Sequence, residues 1–318
     1  MRRIFLAVAL GLITASAAAT YIAARMFAAP GPLTASRTVV IPRGGLDAAT
    51  DALLAQGVIR GRTAFRIAAA VTSPEGPIHA GELEFPKAAS LRGVLAVLRS
   101  GRPVQHRVTF AEGLTAAQIS QMLARNDALA GDLTVPPEGA VLPETYVFDR
   151  GTTRAAIVEQ AEAAMDRRLQ SEWAQRSPGL SLHSAREALI LASIVEHEAR
   201  LPTERPMIAR VFLNRLAMGM RLQADPTAAY VAGGGLGHMD RALTHADLED
   251  ADPYNTYVIP GLPAGPICSP GLATIHAVLH PATGDALYFV ADGTGGHLFT
   301  DTLAAHDVNV AHLRARRP

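Results

Sequence analysis

The sequence predicts an α+β protein held behind a single membrane-crossing helix. Three observations carry this: an uncharged N-terminal run, short β-branched stretches each followed by an amphipathic helical pattern, and a strand pair around a glycine-rich turn near the C-terminus. With 318 residues, 49% of them hydrophobic and 18% charged, the chain is long enough for two folded units and too apolar for wholesale disorder. Its 29 basic and 29 acidic side chains balance, so charge gives no reason to expect nucleic acid as a partner. The single cysteine, Cys268, excludes an internal disulfide and any CxxC zinc or redox motif.

The first element is the run from Ile4 to Ala24, which carries no charge and matches the ~20 residues a helix needs to cross a bilayer. Arg2 and Arg3 precede it, so the positive-inside rule keeps the N-terminus cytoplasmic and exports the rest. Full length favours an uncleaved anchor over residues 1–27. The small residues Ala15 to Ala19 leave a cleaved signal open, and "RRIFL" a twin-arginine signal; all three export the protein. Residues 28–37, "AAPGPLTASR", are aperiodic and read as a linker.

Residues 38–134 contain three stretches of the same kind: "TVVIPRGGLDAATDALLAQG", "LEFPKAASLRGVLAVLRSG" and "VTFAEGLTAAQISQMLAR". Each reads as a strand, a turn and an amphipathic helix, with Ser90 and Thr115 as N-caps of the second and third helices and Gly101 just past the second. This loose repeat resembles LysM-like units, which contact cell-wall glycans; a small α+β spacer fits the same pattern.

The catalytic region is expected at 135–318. "VPPEGAVLPETYVFDRG" marks its boundary, and a long helix begins near Thr153. "SAREALILASIVEHEAR" opens with Ser184 and Glu187 in capping-box spacing, so a helix runs from about Ala185 to Arg200 and stops at Pro202. "TERPMIARVFLNRLAMG" reads as a second helix, capped by Thr203 and ended by Gly219, with Asn214 on an apolar stripe of Met207, Val211 and Met218. "MRLQAD" alternates, placing Arg221, Gln223 and Asp225 on one side. "LYFVADGTGGHLFT" completes the region as a hairpin, with His297 entering its second strand.

Glu196 and Glu198 end an almost wholly apolar run. They lie roughly 200° apart around a helix, so they face different places. Glu196 sits one turn from Ala192 and Ser193 and two from Leu189, surroundings that favour a protonated carboxyl suited to general-acid work. An exposed i,i+4 pair with Arg200, worth ~0.2–0.5 kcal/mol, is the competing role. "HEAR" fails as a zinc motif because Leu201 stands where HExxH needs histidine, and no G-x-S-x-G supports a serine hydrolase. No metal or other cofactor is implied.

"LASIVEHEA", "ERPMIARVFLNRLAMGMRLQADPT", "YNTYVIPGLPAGPICSPG" and "LYFVADGTGGHLF" together resemble the signature blocks of the endolytic murein transglycosylases, the YceG-like family. With the anchor, the LysM-like region and "LPETYVF", the resemblance spans nearly the whole chain. It implies a lyase of the bacterial inner membrane, single-pass with its catalytic part periplasmic. Such an enzyme cuts nascent glycan strands between N-acetylmuramic acid and N-acetylglucosamine and leaves 1,6-anhydro ends without using water. Peptidoglycan is then the partner, and peptidoglycan synthases with it. The resemblance places the essential carboxyl on Glu196, leaves Glu198 a structural bystander, and makes Asn214, Gln223, Asp225, Tyr254 and Tyr257 substrate contacts. Ala224, Ala264, Cys268 and the "AHD" at Ala305 to Asp307 depart from the family pattern. Each contact has a plainer reading: Asn214 as a buried amide bonded to backbone, the tyrosines as loop packing around Pro253 and Pro260. A hydrolysing muramidase with Asp225 or Glu198 as second carboxylate, and a silent glycan-binding scaffold, are the rival functions.

Overall fold

The computed structural model describes residues 2–132, 135–237 and 239–316. It is a mixed α+β fold that divides into two compact units, residues 1–106 with 147–151, and residues 107–146 with 152–318.

The first unit begins with α1 (Arg2–Ala28), whose Ala9–Ala28 stretch is long and apolar enough to cross a membrane. Strands β1 (Arg37–Ile41) and β2 (Gly81–Phe85) pair antiparallel, with Val39 opposite Leu83. Between them lie α2 (Gly45–Ala55) and α3 (Arg62–Val71), and α4 (Leu91–Ser100) follows β2. Leu53, Phe65, Leu83, Phe85, Val94 and Leu98 fill the core between sheet and helices. Ser90 caps α4, its hydroxyl accepting from Gly93 N at 3.2 Å. Helix α3 went unread in the sequence although its period is clear, with Phe65, Ala68 and Ala69 buried and Arg62 and Arg66 on the exposed face.

The division between the units falls within β3 (Gln105–Thr109) and β4 (Thr145–Asp149), which pair with each other. The stretch read as a domain boundary thus contains a strand, Tyr146 and Phe148 being its buried residues. Its short period-2 pattern is hidden by the flanking Pro and Gly. The third strand-helix stretch, Val108 to Arg125, lies wholly in the second unit. Its helix, α5 (Ala116–Ala124), starts at the capping box of Thr115 and Gln118 and belongs to the second unit.

In the second unit α6 (Arg154–Ala174), capped by Thr153, α7 (Ala185–Glu198), α8 (Arg205–Ala217), α9 (Asp225–Ala232), α10 (His245–Glu249) and α11 (Leu272–Leu279) precede β5 (Tyr288–Ala291), β6 (His297–Thr300) and α12 (Leu303–Arg316). Ser184 Oγ accepts from Glu187 N at 3.2 Å, starting α7 where the capping pattern put it. α7 is buried without a break from Ala188 to Val195, packed by α6, α8, α9 and α11. A helix enclosed on all sides reads as a continuous apolar run, as this one does.

Helix α8 departs from expectation in two ways. A 3-10 turn at Pro202–Glu204 leads into it, Pro206 sits in its first turn, and Thr203 makes no cap. Its buried face is Ile208, Val211, Phe212 and Arg215 rather than the Met207 to Met218 stripe; Met218 is 65% exposed. Packing against α7, α11 and β5 selects the face, because burying Ile or Leu freezes less side-chain freedom than burying an unbranched methionine does. The extended segment 220–224 alternates as expected, with Leu222 and Ala224 buried, and β5 and β6 form the antiparallel hairpin.

Candidate active site

The core ends where α7 emerges, and its last turn carries both carboxylates. Glu196 turns toward α8 and α11. Its Oε1 accepts from Arg205 Nη2 at 2.9 Å, and its Oε2 accepts from Gly271 N at 2.9 Å and from Thr274 Oγ1 at 2.6 Å. Gly271 is the N-cap of α11, so the carboxylate also meets the positive end of that helix. The side chain is only 6% exposed and its oxygens are taken by three donors, which fix it in place.

Glu198 faces the other way, as the 3.6-residue period requires. It lines a cleft of about 890 Å³ together with Asp225, Tyr230, Arg200 and the turn between β5 and β6. Burial pushes its carboxyl up to about 8; the negative charge of Asp225 adds to the rise and the Arg215 guanidinium opposes it. Its place in the last turn of α7, at the negative end of a helix, works in the same direction. Of the two glutamates, the one on the cleft is Glu198, while Glu196 is held on the far side of the helix.

Asp225 opens α9 and is placed by a buried polar staple. Thr227 Oγ1 and Thr256 Oγ1 meet at 2.8 Å, Ala224 N donates to Thr256 Oγ1 at 3.0 Å, and Gln223 N donates to Thr256 O at 3.1 Å. Tyr257 Oη then donates to Asp225 Oδ1 in a short hydrogen bond. Asn255, fully buried, donates through Nδ2 to the carbonyls of Asp247, Leu248 and Asp250 and so folds the loop that carries Tyr257. Gln223 itself is exposed at φ 50, a left-handed conformation costing a non-glycine residue roughly 1–2 kcal/mol, held by its backbone bond to Thr256.

Asp225 therefore reaches the cleft and Tyr257 supports it. Tyr254 stands one ring back, its centroid 5.2 Å from that of Tyr230, whose hydroxyl donates to Glu138 Oε2 at 3.1 Å. Asn214 is a tether. Its Nδ2 donates to Gly284 O at 3.1 Å and Ala286 O at 3.0 Å, which spends both amide hydrogens on the approach to β5. Arg215 beside it, 9% exposed, donates to Leu287 O and to Leu222 O, each at 2.7 Å, and ties β5 to the segment that precedes Asp225.

The hairpin turn forms the opposite lip. Asp292 accepts from Thr294 N at 2.6 Å and from Gly296 N at 3.1 Å, donors that hold its carboxyl below the usual range. Glu204 accepts from His297 N at 2.8 Å and faces His297 Nδ1 at 2.7 Å. A side chain at Gly296 would place its Cβ 2.8 Å from Glu204 Oε1, so this position is closed to anything larger than glycine without movement. Tyr230, Arg215, Thr227, Asn255 and Thr256 were missed in the sequence. The one available signal was Arg215, a charge on the buried stripe of α8.

Among models of known protein families, the YceG-like family matches residues 39–312. The chain belongs to the YceG-like family. A YceG-like relative, the endolytic murein transglycosylase of Bacillus subtilis (strain 168), is 32% identical over 313 residues, spanning 86% of this chain and 84% of its own. The endolytic murein transglycosylase of Streptococcus pneumoniae serotype 2 (strain D39) is 34% identical over 209 residues, 62% of this chain and 37% of its own length. A crystal structure of a YceG-like protein from Listeria monocytogenes has a TM-score of 0.54 at 29% identity, covering 86% of this chain and 98% of that one. In this YceG-like chain, one cleft brings together Glu198 on α7 and Asp225 on α9.

Proposed function

We propose that the chain is a membrane-anchored endolytic transglycosylase that cuts nascent peptidoglycan between N-acetylmuramic acid and N-acetylglucosamine, leaving 1,6-anhydro ends and so terminating strand elongation. The observation that carries this reading is Glu198, a carboxyl raised to about 8 on the wall of an open cleft and in the field of Asp225. Similarity to murein transglycosylases over most of the chain supports the substrate class. The apolar α1 supports a single-pass membrane anchor; in this reading the membrane is the inner one, the catalytic part is periplasmic, and residues 38–134 contact glycan near the synthases that supply it.

Glu198, the carboxyl that lines the cleft, is taken as the general acid in this reading; Glu196, which the family resemblance favours, is the rival candidate, and turnover of sacculi by E196Q and E198Q, compared on folded protein, decides between them. Protonated Glu198 gives its proton to the glycosidic oxygen as the bond from the muramyl anomeric carbon breaks. The carboxylate it becomes then takes the proton of the muramyl 6-hydroxyl as that oxygen closes on the same carbon. No water is consumed. Asp225, kept in place by Tyr257, offers negative charge to the oxocarbenium-like centre, and Tyr230 offers a ring face for a sugar. Glu196 positions the end of α7 from behind.

The same two carboxylates support a hydrolytic reading, in which Asp225 activates water. Digestion of purified sacculi followed by mass spectrometry separates the two, since an anhydro end is one water lighter than a hydrolytic end. Release of hydrolytic ends overturns the transglycosylase assignment. Absence of any cleavage returns the chain to a glycan-binding scaffold.

A further inference from the structure

We propose that Glu172, His276 and His280 form a binding site for one divalent transition-metal ion of the zinc type, on the second unit and away from the cleft. Glu172 lies near the C-terminal end of α6, His276 on α11 and His280 at the C-cap of α11. One potential ligand atom from each lies within 4.8 Å of the others, the one such group of three among the described residues.

The donor set is the first argument. Two imidazoles and one carboxylate match the His₂Glu sets that hold Zn²⁺ with an open fourth position, and imidazole nitrogen selects such ions over Mg²⁺ or Ca²⁺. Preorganisation is the second. His276 and His280 are an i,i+4 pair with ring centroids 4.3 Å apart, and His276 Nδ1 already meets Glu172 Oε2 at 2.9 Å. Donors around a tetrahedral ion with ~2.0–2.1 Å bonds sit roughly 3.3–3.5 Å from one another, so rotamer adjustments of about 1 Å close the site. Ser177 Oγ, 3.3 Å from His280 Nδ1, supplies the outer hydrogen-bond partner that ligating imidazoles commonly have. Access is the third, since the His276 side chain is 61% exposed. An ion entering here displaces the proton shared by His276 and Glu172 and is coordinated by two neutral imidazoles and a carboxylate.

The consequence is a clamp between α6 and α11. The N-terminal end of α11 holds Glu196 through Gly271 N and Thr274 Oγ1, so an ion at its other end fixes the same helix that supports the end of α7. This inference does not depend on the reaction assigned to the cleft.

The test uses the full-length protein, purified in detergent and stripped with a chelator. Zn²⁺ titration by calorimetry should show one site, Co²⁺ should give visible absorption bands of a low-coordinate nitrogen and oxygen site, and Zn²⁺ should raise the melting temperature. H276A/H280A should abolish all three, and E172Q should weaken Zn²⁺ by more than the roughly tenfold that losing an outer partner costs. His245→Ala, on an exposed histidine elsewhere, should change nothing. Absence of Zn²⁺ binding to the wild-type chain, its retention in H276A/H280A, or an equal response to Mg²⁺ overturns the site.

Discussion

Replacing Glu198 by glutamine keeps the side chain's size and removes its proton exchange, so the substitution reads two quantities at once. The carboxyl is raised from 4.5 to about 8, with burial as the leading cause. Below pH 4.5 it is protonated in both the folded and the unfolded chain. Between 4.5 and about 8 the unfolded chain has released the proton while the folded chain retains it, so this group's contribution to stability falls steadily as pH rises, and above about 8 the loss is complete. At ~1.4 kcal/mol per unit the loss across this window is about 5 kcal/mol. The glutamine variant lacks this penalty. Urea melts of both proteins at pH 5, 7 and 9 should therefore show wild type losing stability relative to E198Q by about 4 kcal/mol across the series. Turnover of sacculi by the same variant should fall by roughly 10²–10⁴, the usual worth of a positioned general acid. A stability difference that does not grow with pH refutes the buried-acid argument, and substantial turnover by E198Q refutes the catalytic one.

Glu196→Gln should behave differently: Arg205 keeps Glu112 at 3.3 Å but loses the charge of its buried partner, so thermal melts should register a loss of about 1.5–3 kcal/mol before any defect in a folded fraction's chemistry. Wild-type activity should decline as pH rises through about 8, where Glu198 loses the proton it donates; a rate that is flat to pH 9.5 contradicts the assignment. Tyr257→Phe removes the hydroxyl that fixes Asp225, a bond to a charged group worth about 1.5–3 kcal/mol, and should lower kcat roughly 10- to 100-fold with little change in KM. Asn255→Ala strips the carbonyls of Asp247, Leu248 and Asp250 of their shared donor and should cost about 1–3 kcal/mol in denaturant melts, with the wild-type active-site pH profile retained in the folded protein.

Local pattern carried much of this molecule. The uncharged run of α1, the N-caps Ser90, Thr115 and Ser184, the alternation before Asp225 and the hairpin at 288–300 are properties of neighbouring residues, and each took the form its spacing demanded. That the two glutamates ending α7 face different places also follows from helical geometry alone. Which of them lines the cleft does not. Glu196 has the drier neighbours in sequence, but Arg205 comes from the next helix, and Gly271 and Thr274 lie 75 and 78 residues away, so the donors that occupy it are invisible locally. Glu198 draws its perturbed carboxyl from burial and from Asp225, brought across by the Thr227, Thr256 and Tyr257 staple. The partners of Asn214 are equally distant in sequence, the carbonyls of Gly284 and Ala286 lying 70 and 72 residues away. Secondary structure answers to short-range sterics and periodicity, whereas a proton's affinity for one carboxyl answers to the charges and donors within a few ångströms, and only the packed chain assembles those.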